Sequence, residues 1–88
     1  MRLRDGVVFS EIEREAVIID TNRGRYLSLN ESGSRVLHML LGAKNLREVV
    51  RKVIVETEAD PATVEADVTM FRDKLLNEGI IETSEREV

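Results

Sequence analysis

The chain contains no cysteine and no tryptophan, and it has only one histidine and one proline among its 88 residues. Without cysteine, it has neither a disulfide framework nor a thiolate site, which fits a reducing cytoplasm. Only Phe9, Tyr26 and Phe71 are aromatic, so aliphatic side chains must form most of the core. No segment approaches the roughly 20 apolar residues of a membrane span, and the N-terminus lacks the apolar run of a secretory signal. We therefore expect a cytoplasmic protein without a membrane segment.

Residues that commonly carry catalysis or bind cofactors are also scarce. His38 is the single histidine and falls inside a predicted helix, where such a residue is more often a surface or packing group than a general base. The sequence has no zinc-protease, nucleophile-elbow, phosphate-loop or dinucleotide motif. Its carboxylates show no metal-ligand spacing beside a second ligand type. The sequence therefore predicts no enzyme activity, no metal site and no cofactor.

Length and charge narrow the class of protein further. The length corresponds to one domain over residues 1–88, with a polar tail, residues 83–88, that is expected to be disordered. Hydrophobic residues make up 42% of the chain, which is enough for one core. The formal net charge is −4, whereas a protein that binds phosphates usually presents a basic face. The charge balance therefore disfavours a nucleic-acid partner.

Three short runs in the first third of the chain predict a sheet. They are rich in β-branched or alternating apolar residues, and Asn22-Arg23-Gly24 supplies turn residues before the third run. Tight connections between consecutive strands are typical of an antiparallel meander. The predicted strands are Val7–Ile12, Ala16–Asp20 and Arg25–Leu29.

Three helices are predicted to follow, each preceded by a residue that can cap its first turn. The second helix combines β-branched residues with apolar positions spaced i, i+3, i+4, i+7 and i+8, and this periodicity outweighs the strand propensity. A short strand or wing is predicted at residues 80–82. The predicted caps are Asn30, Asn45 and Asp60, and the predicted stops of the first and third helices are Gly42 and Gly79.

The predicted fold class is α+β, with an N-terminal three-stranded antiparallel sheet followed by a three-helix bundle in the order of a winged helix-turn-helix. In such a unit the last helix would enter the major groove of DNA. Here that helix carries more carboxylates than cations, so phosphates would repel it. The basic cluster at residues 44–52 is typical of a solvated helix face. A winged-helix DNA-binding regulator stays as the alternative from another class.

The third predicted strand would form an open edge of the sheet, directly before the helices. Its residues, Arg25–Leu29, include no proline or lysine that would block pairing with another strand. An edge beside a helix suits β-strand addition, in which main-chain hydrogen bonds supply affinity and side-chain pockets supply specificity. Two flanks of the third helix compete to face this groove, and they are Thr63, Asp67, Met70 and Lys74, or Glu65, Thr69, Arg72 and Leu76.

Short marks of one family extend over nearly the whole chain, from about Val7 to Ile81. They are Gly24-Arg25-Tyr26 leading to Leu29-Asn30, Gly33 with Val36-Leu37 and Leu40, Gly42, "LREVV" in the second helix, and "VEADVTMFRDKLLNEGII" in and after the third. In this order they resemble PqqD-like domains, which are recognition elements for the precursors of ribosomally synthesised, post-translationally modified peptides (RiPPs). The resemblance implies a small, non-catalytic module that binds the leader region of a precursor peptide.

The resemblance also implies where the leader binds. In this family the leader adds as a strand along the third strand, and its side chains enter the cleft beside the third helix. The residues carried over to this chain are Arg25, Tyr26, Leu27, Ser28 and Leu29 of the strand, and Val64, Asp67, Val68, Met70, Phe71 and Lys74 of the helix.

Residue type suggests a role for each of these side chains. We expect an apolar pocket formed by Leu27, Val68, Met70 and Phe71. Arg25 and Lys74 would pair with leader carboxylates. Asp67 would accept a hydrogen bond from the leader, or would instead hold the helix against the sheet. Met70 has a second interpretation as an ordinary core residue.

The partners depend on the pathway. The "GRYxxLN" strand resembles the stand-alone leader-binding proteins of lasso peptide biosynthesis, which implies a leader peptidase and a lasso cyclase as partners. The alternative is a peptide chaperone of pyrroloquinoline quinone (PQQ) biosynthesis that delivers its precursor to a radical SAM enzyme. The chain lacks the Pro-Glu segment typical of that group at this strand. Other pathways with similar domains stay open, and neither nucleic acid nor a membrane is expected as a partner.

Overall fold

The computed structural model describes residues 1–83 and confirms the α+β fold. The elements are β1 (Arg2–Leu3), β2 (Val7–Ile12), β3 (Glu15–Asp20), β4 (Arg25–Leu29), α1 (Glu31–Gly42), α2 (Leu46–Thr57), α3 (Pro61–Asn77) and β5 (Ile81–Glu82). The three predicted strands correspond to β2, β3 and β4. Of the predicted disordered tail, residues 84–88 lie outside the described residues.

The sheet is an antiparallel meander in the order β2-β3-β4. The register pairs Ile12 with Glu15, so only two residues connect β2 to β3, and Glu13 adopts a positive φ of 62° there. Gly24 has a φ of 64° in the turn before β4. Glycine tolerates this left-handed conformation without a steric penalty, which explains the turn signal in the sequence.

A second, two-stranded sheet joins the two ends of the described chain. β1 pairs antiparallel with β5, with Leu3 opposite Ile81. The predicted short strand after the third helix is therefore present, but its partner β1 was not predicted, because two residues carry too little pattern to mark a strand. Ile80 and Ile81 are buried, so this pairing closes one end of the core.

Each helix begins at its predicted capping residue. The Oδ1 atoms of Asn30 and Asn45 accept hydrogen bonds from the backbone N–H groups three residues later, at 2.8 and 2.9 Å. Asp60 caps α3 in the same way, at 3.1 Å from the nitrogen of Thr63. Gly42 is the last residue of α1 rather than a cap beyond it.

α1 packs on one face of the sheet, and α2 and α3 complete the core with it. The central buried side chains are Ile18 of β3, Leu37 and Leu40 of α1, Val49 of α2, and Val64, Val68 and Leu75 of α3. On the opposite, outer face of the sheet, Val8, Ile19 and Tyr26 are exposed. Within residues 1–83, none of the helices is both long and apolar enough to cross a bilayer.

Truncation of Leu37 tests this core. Leu37 is fully buried between α1 and the sheet, so Leu37→Ala should lower the free energy of unfolding by about 3 kcal/mol through lost burial and a residual cavity. Urea denaturation measures this change. Val55→Ala is the matched control on the exposed side of α2 and should change the free energy by less than about 0.5 kcal/mol. Equal effects of the two changes would contradict the core described.

Candidate functional site

The outer edge of β4 is unpaired in the part of the chain that the structure describes. β4 is the last strand in the order β2-β3-β4, and its one strand partner there is β3. Backbone N–H and C=O groups on the free side of such a strand are available to another strand. The predicted open edge is thus present, over the predicted range Arg25–Leu29.

An apolar cavity of about 350 Å³ lies between the N-terminal half of α3 and the other two helices. Four residues of the predicted peptide site line it, namely Val64, Asp67, Val68 and Phe71. The sequence analysis missed the rest of its lining, which comes from α1, α2 and the loop that follows α2 and comprises Ser32, Gly33, Val36, Val53, Thr57 and Ala59. The helical patterns identify apolar stripes, but they do not tell which stripes meet around a common space.

The cavity begins where β4 ends. Gly33 lines the cavity, and a Cβ atom placed on Gly33 would lie 3.5 Å from Cβ of Leu29. The first turn of α1 therefore joins the end of the edge strand to the cavity wall. The shortness of the β4–α1 connection, which consists of Asn30 alone, explains this closeness.

The opposite end of β4 lies beside the C-terminus of α3. Arg25, the first residue of β4, donates a hydrogen bond of 2.7 Å from Nη2 to the carbonyl oxygen of Glu78, the residue that caps α3. The C-terminus of α3 therefore meets the start of β4, while the N-terminal half of α3 shares the cavity with the first turn of α1, which follows the end of β4. We call the surface between the β4 edge and α3 the groove.

The side chains of β4 divide between the two faces of the sheet. Leu27 and Leu29 are half-buried on the face that meets the helices. Tyr26 and Ser28 lie on the outer face, where Tyr26 is 75% exposed. Tyr26 and Ser28 therefore contribute their backbone to the edge but point away from the cavity.

Met70 and Lys74 lie on the exposed surface of α3 and do not line the cavity. Met70 is 70% exposed, which disagrees with its interpretation as a core residue. Both share a flank with Asp67, which does line the cavity. On the competing flank, Glu65 instead borders a separate depression with α2. This arrangement favours the flank of Asp67, Met70 and Lys74 as the side towards the groove.

Arg25 is engaged within the protein. Its Nε lies 3.3 Å from Oδ2 of Asp20 and its Nη1 lies 4.0 Å from a carboxylate oxygen of Glu78, in addition to the bond with the Glu78 carbonyl. The predicted pairing of Arg25 with leader carboxylates would have to compete with these contacts. His38 lies elsewhere, against Glu11 and the edge of Phe9.

Comparisons with known proteins agree with this fold. The family described as Coenzyme PQQ synthesis protein D (PqqD) matches residues 15–81. The solved structure "TbiB1 in Complex with the TbiA(beta) Leader Peptide" shares 31% sequence identity with this chain. The match has a TM-score of 0.84 and covers 97% of this chain and 100% of that one. "Lasso peptide synthetase B1 complexed with the leader peptide" has the same TM-score of 0.84 at 22% identity, over 93% and 96% of the two chains. No curated protein matches.

The fold and the groove define a small α+β domain with an unpaired edge strand beside a helix-lined apolar cavity. The chain belongs to the PqqD family, because the family match spans most of its length.

Proposed function

We propose that this protein binds the leader region of a ribosomally synthesised precursor peptide by strand addition at β4, and presents the precursor to processing enzymes. The observation that carries the proposal is the unpaired β4 edge beside the apolar cavity. The likeness to TbiB1, described in complex with a leader peptide, supports it at 31% identity over nearly the whole chain.

The groove offers both components that strand addition needs. The free edge of β4 supplies main-chain hydrogen bonds that do not depend on the leader's sequence. The cavity near Val68 and Phe71 would accept an apolar leader side chain and so supply specificity. Asp67 and Lys74, both exposed on α3, would add polar contacts with opposite charges.

The chain itself would carry out no chemistry on the precursor. A protein that holds the leader raises the effective concentration of the attached core peptide near a bound enzyme. In the lasso pathway these enzymes would be a leader peptidase and a lasso cyclase, and the "GRYxxLN" strand supports this pathway. In the alternative, the precursor would be delivered to a radical SAM enzyme of PQQ biosynthesis.

Leader binding is tested by titration. The N-terminal halves of short precursors encoded beside this gene are labelled and titrated with the protein, with fluorescence polarisation as the readout. We expect one leader to bind with a Kd of about 1 μM or tighter and its scrambled version not to bind. Failure of every leader, together with salt-sensitive binding of duplex DNA, would replace this proposal with the regulator alternative.

Two substitutions on α3 test which flank faces the leader. Met70→Asp places a charge at the rim of the groove and should raise the Kd about tenfold, or ~1.4 kcal/mol. Lys74→Glu should weaken binding of an acidic leader, and the loss should shrink as salt increases. Glu65→Lys on the opposite flank is the matched charge reversal and should leave the Kd unchanged. If only Glu65→Lys alters affinity, the leader lies on the other flank.

The outer face of the sheet would dock the partner enzyme. Val8, Ile19 and Tyr26 lie side by side in register across the three strands and are 54%, 41% and 75% exposed. Contiguous exposed apolar side chains often mark interaction sites. This face stays free when a leader occupies the β4 edge, since strand addition uses main-chain groups in the plane of the sheet.

Polar substitution on this face separates docking from leader binding. Tyr26→Ser with Ile19→Ser should leave the leader Kd within about twofold, and should slow leader cleavage by the co-encoded peptidase about tenfold, ~1.4 kcal/mol. Cleavage is followed by mass spectrometry. The exposed basic side of α2 is a competing docking surface, and Arg51→Glu on that side is the control variant. Loss of cleavage in that variant alone would assign docking to α2.

A further inference from the structure

The most deeply buried charged group described in the chain is the carboxylate of Asp20, at the end of β3. Its side chain is 2% exposed. A buried carboxylate is unfavourable unless hydrogen bonds and an opposite charge compensate for its lost hydration. Here the backbone N–H of Asn22 donates to it at 3.0 Å and Nε of Arg25 at 3.3 Å. The register places Asp20 directly opposite Arg25 on the neighbouring strand.

Arg25 extends from this carboxylate to the end of α3. Its Nη2 donates to the carbonyl oxygen of Glu78 at 2.7 Å, at the C-terminus of a helix where a cation is favourable. One planar guanidinium thus contacts the sheet through one nitrogen and the helix through another. Lysine has a single nitrogen and cannot hold the same bridge.

The bridge connects the two walls of the groove. β4 forms one wall and α3 the other; at the far end of the groove Leu29 of β4 lies beside Gly33 of α1, which lines the cavity together with α3. The leader must fit between these walls, so their separation decides whether its main chain and its apolar side chain can be accommodated together.

We infer that Asp20 and Arg25 are positioning residues that set the width of the groove, and that their side chains control leader affinity without contacting the leader. This inference rests on the proposed function. Asp20 orients the guanidinium through its contact with Nε, and the guanidinium fixes the C-terminus of α3 relative to the first residue of β4. This inference gives Arg25 a different role from the predicted pairing with leader carboxylates.

The test compares Arg25→Lys and Asp20→Asn with the wild type in leader titrations at low and high salt. A second leader has its carboxylates replaced by amides. Both substitutions should raise the Kd at least fivefold, by the same factor for both leaders and at both salt concentrations. The double variant should be no weaker than the worse single variant, because either change breaks the same bridge.

Arg23→Lys is the matched control, since Arg23 also donates to the Glu78 carbonyl, but it does so from the exposed turn before β4 rather than from the residue opposite Asp20. It should leave the Kd within about twofold. Far-UV circular dichroism and urea unfolding establish that each variant is folded under the conditions of titration. If Asp20→Asn does not fold, Arg25→Lys with the two leaders decides alone.

The outcomes separate this inference from the proposed function. If the variants bind the unmodified leader more weakly than the wild type, but bind the amide leader equally well or bind equally well at high salt, Arg25 contacts the leader directly. That result would overturn the positioning role. Unchanged affinity in both variants would overturn it as well, while leader binding by the wild type would stand. Absence of binding by the wild type would overturn both.

Discussion

The antiparallel register of β3 with β4 is the constraint on which the site depends. Because side chains alternate along a strand, a shift of one residue would exchange the two faces of the whole strand. The observed register places Leu27 opposite Ile18 in the core and Tyr26 opposite Ile19 on the outer face. It also sets Arg25 opposite Asp20, from where its guanidinium reaches the end of α3. The core, the outer apolar face and the bridge to the helix therefore follow from one pairing.

An unpaired edge is normally a liability, because it invites pairing with other chains. Many proteins protect such an edge with lysine, proline or a bulge, yet β4 has none of these over its five residues. The strand is held instead from its two ends, by Arg25 at the helix C-terminus and by the single-residue connection to α1. This leaves the middle of the edge open while restricting its position, as the capture of an extended peptide requires.

Local patterns in the sequence predicted the elements that local physics determines. The caps Asn30, Asn45 and Asp60 and the turn glycine Gly24 act within a few residues, so their types reveal their positions. The cavity does not follow in this way, because Ser32, Val53 and Ala59 are far apart in sequence and meet only after the helices pack. The strand β1 is too short for any periodicity, and its pairing with β5 depends on the closure of the chain ends.

Arg25 shows that one residue type can suit two different roles. A cation in the edge strand of a peptide-binding domain suggests a contact with the peptide. The structure adds that the opposite residue is a carboxylate with 2% exposure, whose hydration has been lost on folding. Removing the guanidinium would leave the buried Asp20 carboxylate with the Asn22 N–H but without its opposite charge, which is more unfavourable than losing a surface ion pair. The Arg25 side chain is therefore held by its ion pair with Asp20. This ion pair in turn fixes the position of the groove wall.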